Sequence, residues 1–261
     1  MLDLGFARVA RLSHKGLVRE QNEDCTLAVR WDGGALLGVF DGMGGHRGGK
    51  VASRTARRCL RRLAYRALLS DEEGLYDLML EGLDHADRVI RRAEERSWDL
   101  RGLGTTAVLA CVLPDSVSYL HAGDCRFYHF RGKELLYVSR DHTIIRVLLD
   151  TGTITQDQVK THPMRAAVTS SLGGGKDARL DVGPKWDEGE WRRECLPGDI
   201  LVLSSDGLHG EIEVEALVGA IGQPDPRTIA RTLVREALAT GAKDNVSVIV
   251  VQYALEVGRA G

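Results

Sequence analysis

Three long apolar runs in this chain end or begin on an aspartate. "ALLGVF" runs into Asp41, "ILVLSS" runs into Asp206, and Asp244 stands just before "NVSVIVVQY". Runs of this length and β-branched content predict strands covered on both faces. An acid next to such a strand cannot be drawn into the core without a large desolvation penalty, so a fold that stacks these strands must gather its carboxylates at a rim. Converging carboxylates either shift their proton affinity or share a counter-ion. A hard divalent cation, Mg²⁺ or Mn²⁺, suits a ligand set made only of oxygen.

The residues after two of these acids are Gly42 and Gly207. Without a Cβ, the backbone there can take turn conformations, and its carbonyl can approach an ion closely. One Asp-Gly pair is an ordinary turn signal; its recurrence at buried strand ends points to a built site. Two further segments belong to the same reading. In "GLVREQNEDC", Arg19 precedes the acid pair Glu23-Asp24, and a guanidinium can hold two phosphate oxygens in a planar fork. In "HAGDCRF", Asp124 sits where two short strands, "SVSYLHAGD" and "CRFYHFRG", are expected to meet in a hairpin turn.

The remaining elements are segregated by type. "FARVARLS", "TTAVLACVL" and "LLYVS" read as further strands. Between Gly48 and Trp98, Ala52, Ala56, Leu60, Leu63 and Ala67, then Leu75, Leu78, Gly82, Ala86, Ile90 and Ala93, recur at three and four and predict an antiparallel pair of helices. Arg54, Arg57, Arg58, Arg61 and Arg62 on the first of them read as a solvated face. "DPRTIARTLVREALATG" predicts another helix, with Pro226 near its start and Gly241 past its end. The stretch from about Ile144 to Lys185 mixes short helical periodicity with Pro163 and Gly173 to Gly175, the profile of an irregular surface flap. Without a linker or repeat, one domain over residues 1–261 is expected, of the α+β class.

Charge and cysteine usage exclude several classes. The 261 residues carry 35 basic and 37 acidic side chains, a formal net charge of -2, which offers no global field for nucleic acid or an anionic membrane. Attraction for phosphate must be local. The five cysteines form no C-x-x-C pair and read as reduced cytoplasmic thiols. No stretch resembles a signal peptide or approaches membrane-spanning length, so a soluble cytoplasmic protein without membrane insertion is expected.

Seven motifs, "GLVREQNED", "GVFDGMGGHRGG", "GTTA" at Gly104 to Ala107, "HAGDCRFY", "RDHT" at Arg140 to Thr143, "LSSDGL" and "KDNVSVIVV", stand in an order and spacing that resembles the metal-dependent serine/threonine protein phosphatases of the protein phosphatase 2C family, in the form of its bacterial branch. The likeness spans about Ala7 to Tyr253. It implies a central β-sandwich of two antiparallel sheets flanked by helix pairs, a four-layer αββα arrangement with two Mn²⁺ or Mg²⁺ ions at one end. By motif, Asp41 would bridge both ions, Gly42 would offer its carbonyl to one, Glu23 would bind that same ion through its carboxylate or a water, and Asp206 and Asp244 would hold the other. Asp124 with Asp206 would hold a third, weaker ion, and Arg19 would grip the substrate phosphate.

The implied activity is hydrolysis of phosphoserine and phosphothreonine by a metal-activated water. The implied partners are phosphorylated proteins and a cognate Ser/Thr kinase, with the phosphatase acting as a monomer. Met43 stands where animal members carry a histidine; His46 reads as a surface residue at a helix entry; Gly210 and Ser170-Ser171 also depart from common family choices. Two other readings share the acids: a two-metal hydrolase of small phosphate esters, and a non-catalytic domain that only binds phosphoproteins.

Overall fold

Along the strand Gly34–Met43 (β4) the pleat sorts side chains by parity. Ala35, Leu37 and Val39 pack with Leu201, Leu203, Ile249 and Val251, while Leu36 and Phe40 turn the other way, toward Ala52, Ala56 and Leu60. The same sorting holds in β5 (Gly104–Val112), whose nine residues are all buried: Val108, Ala110 and Val112 face the first layer, and Ala107, Leu109 and Cys111 the second. Strands sorted in this way must be covered on both faces, which accounts for their continuous apolar runs.

The structure is a computed structural model and describes residues 1–44, 48–63, 72–159, 161–175, 178–184 and 191–254. Its strands form two sheets, and every described pairing between named strands is antiparallel. One sheet orders β1 (Leu2–Asp3), β2 (Ala7–His14), β12 (Val246–Tyr253), β11 (Ile200–Ser204), β7 (Arg126–Arg131) and β8 (Glu134–Val138). The other orders β10 (Arg192–Glu194), β6 (Ser116–Ala122), β5, β4 and β3 (Cys25–Trp31), with β9 (Leu172–Gly173) also pairing β5. Helices α1 (Gly48–Leu63) and α2 (Glu72–Arg96) cover the second sheet through Leu60, Leu83, Ala86 and Ile90. On the outer face of the first sheet, Val202, Val248 and Val250 meet Leu217 of α6 (Val214–Ile221) and Leu233 and Ala237 of α7 (Pro226–Ala239). The result is the expected α+β sandwich, helices on either side of two packed sheets.

Several expectations change in detail. Strands β6 and β7 are not a hairpin: they belong to different sheets, and the turn at Gly123, with φ +92°, carries the chain from one to the other. Asp124 therefore stands at the seam of the sandwich. Asp41 lies inside β4, paired with Thr106, rather than after the strand. The 144–185 stretch holds two short helices, α3 (Ile144–Asp150) and α4 (Gln156–Val159), before β9. Strands β1, β3 and β10 and helix α6 carry no signal that the sequence reading used. Ala67, His46 and Lys185 lie outside the described residues.

Candidate metal centre

Parity carries Asp41 to its place. It continues the series Ala35, Leu37, Val39, so its side chain leaves the layer between the sheets just where that layer ends. Across the gap, β11 runs out at Ser204 and the four-residue helix α5 (Asp206–His209) begins, while Asp244 precedes β12 beside it. Asp124 enters from the seam. The cleft so formed, about 390 Å³, is lined by Arg19, Glu23, Asp41, Gly42, Asp124, Asp206 and Asp244, every site residue expected from the sequence. Glu20, Met43, Thr106 and Asn245 complete much of its wall.

Two glycines make the convergence sterically possible. A Cβ on Gly42 would stand 2.3 Å from the carbonyl oxygen of Gly49 and 2.7 Å from that of Glu23. The reason for glycine here is close approach of three backbones, since Gly42 lies in a strand and forms no turn. A Cβ on Gly207 would stand 2.0 Å from the carbonyl oxygen of Asn245, so α5 and the start of β12 could not lie as close as they do.

Supporting hydrogen bonds lock the acids in place. Thr105 Oγ1 donates to the Asp41 carbonyl at 2.8 Å. Ser53 Oγ of α1 donates to the Glu23 carbonyl at 2.5 Å. The Glu23 N–H donates to Asn245 Oδ1 at 2.7 Å. Arg19 leans over the cleft and donates from Nη2 to Asp244 Oδ2 at 2.5 Å, both side chains remaining partly in solvent.

Asp24 is the member that sequence reading missed as a site residue. Ser205 Oγ donates to its Oδ2 at 2.8 Å, and Ser205 Oγ in turn accepts the Ser247 N–H at 2.9 Å. Among the described residues nothing donates to the buried Oδ1 of Asp24 or to that of Asp206. Buried acceptors are normally satisfied, and these two mark where positive charge is wanted. The available signal was the adjacency of Asp24 to Glu23 and its position one residue before β3, a strand whose half-buried pattern hid it.

The proton affinities state the same imbalance. Burial, then the charges of Asp24, Asp206 and Asp124, drive Asp41 well above the usual carboxylate range. Burial, reinforced by Asp206 and Asp141, pushes Asp124 up to about 8. Burial also pushes Asp24 up to about 7, against the opposing pull of the nearby Ser247 and Ser205 hydroxyls, with Asp206 and Asp244 adding to the rise. Asp206 is raised, burial again leading. Among the described residues, the lining sets Glu20, Glu23, Asp41, Asp124, Asp206 and Asp244 against the guanidinium of Arg19. An unpaired buried carboxylate costs several kcal/mol, which one exposed ion pair, worth about 1 kcal/mol at most, cannot offset. The donor set is all oxygen, hard and excess-anionic, and it fits divalent cations of the Mg²⁺ or Mn²⁺ type.

Comparison with known proteins places this geometry. A profile of the family described as Protein phosphatase 2C matches residues 14–240. The serine/threonine protein phosphatase PstP of Mycobacterium tuberculosis is 35% identical over 247 residues; the match covers 93% of this chain and 44% of that protein, so the chain spans about half the length of this relative. Protein phosphatase PhpP of Streptococcus pneumoniae is 28% identical, over 93% of this chain and 96% of its own length. Among solved structures, that of the M. tuberculosis phosphatase PstP/Ppp superposes with a TM-score of 0.80 at 32% identity, over 95% of this chain and 99% of that one. The PstP catalytic domain crystallised with two manganese ions also gives 0.80, at 30% identity over 95% and 98%. With the profile spanning most of the sequence and the acid cleft standing at the end of the same sandwich, the chain belongs to the protein phosphatase 2C family.

Proposed function

We propose that this chain is a metal-dependent protein serine/threonine phosphatase, and that residues 1–261 act as one catalytic domain. The observation that carries this reading is the excess of carboxylates around Asp41, held in one cleft beside an arginine that reaches over its mouth. Asp41, the Gly42 carbonyl and Glu23 would hold one ion, Asp206 and Asp244 a second, and Asp124 with Asp206 a third. Bound there, divalent ions supply the positive charge that eases deprotonation of water and offsets charge on the phosphoryl oxygens.

The chain's own groups do the rest. Arg19 fixes two oxygens of the substrate phosphate and keeps the ester in line for attack. Asp24, held by Ser205 behind the ligand set, maintains negative charge where the ions sit. The cleft is open to solvent and polar, which suits a phosphorylated side chain on a protein better than a small apolar ester. The segment 144–185 contributes Ala166 and Val168 to the cleft wall and acts as a flap that selects substrates. In this reading the partners are phosphoproteins and the Ser/Thr kinase that modifies them, and the enzyme works as a cytoplasmic monomer. Among the described residues no helix is long and apolar enough to cross a membrane.

The deciding experiment is Mn²⁺-dependent phosphate release from a phosphothreonine peptide, run beside bis-p-nitrophenyl phosphate and nucleotides. Asp41→Asn should lose about three or more orders of magnitude in kcat. Full activity in that variant, or a preference of the parent for the diester, would reject the assignment.

A further inference from the structure

The arginines of α1 find a structural context away from the cleft. A groove of about 400 Å³ is lined by Arg57 and Arg61 of α1, Arg11 of β2, Arg30 and its neighbours Thr26, Leu27, Ala28 and Val29 in β3, and Leu2 of β1. All four arginines are exposed, and among the described residues no carboxylate lines the groove. Among the described residues Arg11, Arg57 and Arg61 have no salt bridge; Arg30 donates to the Asp3 carbonyl at 3.1 Å. In a chain of net charge -2 this is a strong local excess of positive charge.

The second observation concerns the backbone. Among the described residues, strand β3 is the last strand of its sheet and pairs with β4 alone. Residues of both parities, Thr26 to Arg30, line the groove, so what faces it is the strand's edge. Among the described residues no backbone hydrogen bond reaches this edge from any other element. An open edge accepts an extended chain through main-chain hydrogen bonds, and arginines on both flanks choose an acidic one.

From these two features we infer that the β3 edge is a docking groove for an extended acidic segment of the phosphoprotein substrate. The inference rests on the phosphatase reading for the identity of its partner. The groove is also within reach of the reaction. Helix α1 starts against Gly42 and Glu23 through Gly49, and at 1.5 Å per residue Arg57 and Arg61 lie roughly 12 and 18 Å further along its axis. An extended peptide covers that span in about four to six residues. Substrates whose phosphorylated residue lies that far from an acidic stretch are the class selected.

Two measurements test the proposal separately from catalysis. A fluorescein-labelled, phosphate-free peptide of about eight residues, alternating Glu or Asp with Val, is titrated by anisotropy against the full chain. Arg57→Glu/Arg61→Glu should weaken its binding about tenfold or more, and N-methylation of alternate peptide amides should weaken it severalfold. Mn²⁺-dependent hydrolysis of p-nitrophenyl phosphate should stay within about twofold of the parent. Arg57→Gln/Arg61→Gln, checked by thermal melting, serves if the charge reversal perturbs folding. In phosphothreonine peptides, an acidic stretch placed at the stated distance should lower KM about tenfold in the parent and not in the variant. Unchanged peptide binding in the variants would overturn the inference and leave the arginines as charges that blunt an open edge. Equal affinity for an oligothymidylate of the same charge would also overturn it. Peptide binding as expected, with no phosphatase activity toward any phosphopeptide, would sink the functional reading and leave the groove standing.

Discussion

Asn245 Oδ1 accepts the N–H of Glu23 at 2.7 Å, joining residues 222 positions apart in sequence. The same side chain donates from Nδ2 to the carbonyls of Lys15 and Gln21, both at 2.9 Å. One buried amide thus ties the loop that carries Arg19 and Glu23 to the strand start that carries Asp244. Together these bonds tie the two sides of the cleft to each other.

Asn245→Ala leaves the Glu23 N–H and two carbonyls without these bonds. Mn²⁺ affinity measured by calorimetry should fall about tenfold or more, as for other residues that orient metal ligands. Unchanged affinity would show that the loop holds Glu23 by other means.

Arg19→Ala removes an exposed ion pair, so stability should drop by about 1 kcal/mol at most. The catalytic effect should be larger: if Arg19 grips the substrate phosphate as proposed, through charge-assisted bonds, kcat/KM for a phosphothreonine peptide should fall about 10- to 100-fold. Phosphate inhibition should weaken in parallel. A variant with parent-like kinetics would release Arg19 from its substrate role.

The cation-free protein should lose stability as pH rises from about 4 to about 8. In the unfolded chain aspartates titrate near ~3.9, whereas in the fold Asp24 is at about 7 and Asp124 at about 8. Between those limits the native state binds more protons than the unfolded one, so raising the pH favours unfolding. Divalent ions prefer the ionised acids, so the rise in Tm on adding Mn²⁺ should grow over the same window. Melts in EDTA and in Mn²⁺ at several pH values read both slopes; a pH-independent increment would contradict the electrostatic account.

Asp199→Asn should separate folding from the metal centre. Asp199 is fully buried, accepts from both Nε and Nη2 of Arg131 at 2.9 Å and from the Leu196 N–H, and stands 2.9 Å from His129 Nε2. Breaking a buried charge network of this type costs about 3 kcal/mol or more, measurable by urea unfolding. None of these residues lines the cleft, so Mn²⁺ affinity of the folded variant should match the parent.

Much of this protein is readable in its strands. The runs ending at Asp41 and Asp206 and beginning after Asp244 specify buried strands, and the three acids cannot enter the core those strands make. The expected helices α1, α2 and α7 follow from apolar spacing; α7 adds an Asp225 cap that accepts from the Arg227 and Thr228 N–H groups. Strand β3 was not legible, because an edge strand buries only some of its residues and shows neither strict alternation nor a continuous apolar run. The turn at Gly123 could not be resolved either, since a tight glycine turn is compatible both with a hairpin and with a step between sheets.

Local patterning fixed the long central strands, the long helices and which acids are barred from the core, because burial and backbone periodicity act over a few residues. Tertiary packing alone decided that Asp24 joins the cluster, that Asn245 holds Glu23, and that four arginines from three elements flank one open strand edge. Those relationships depend on which sheet each strand enters and how closely backbones approach. Both are settled by long-range pairing and steric fit, which leave no periodic mark in the sequence.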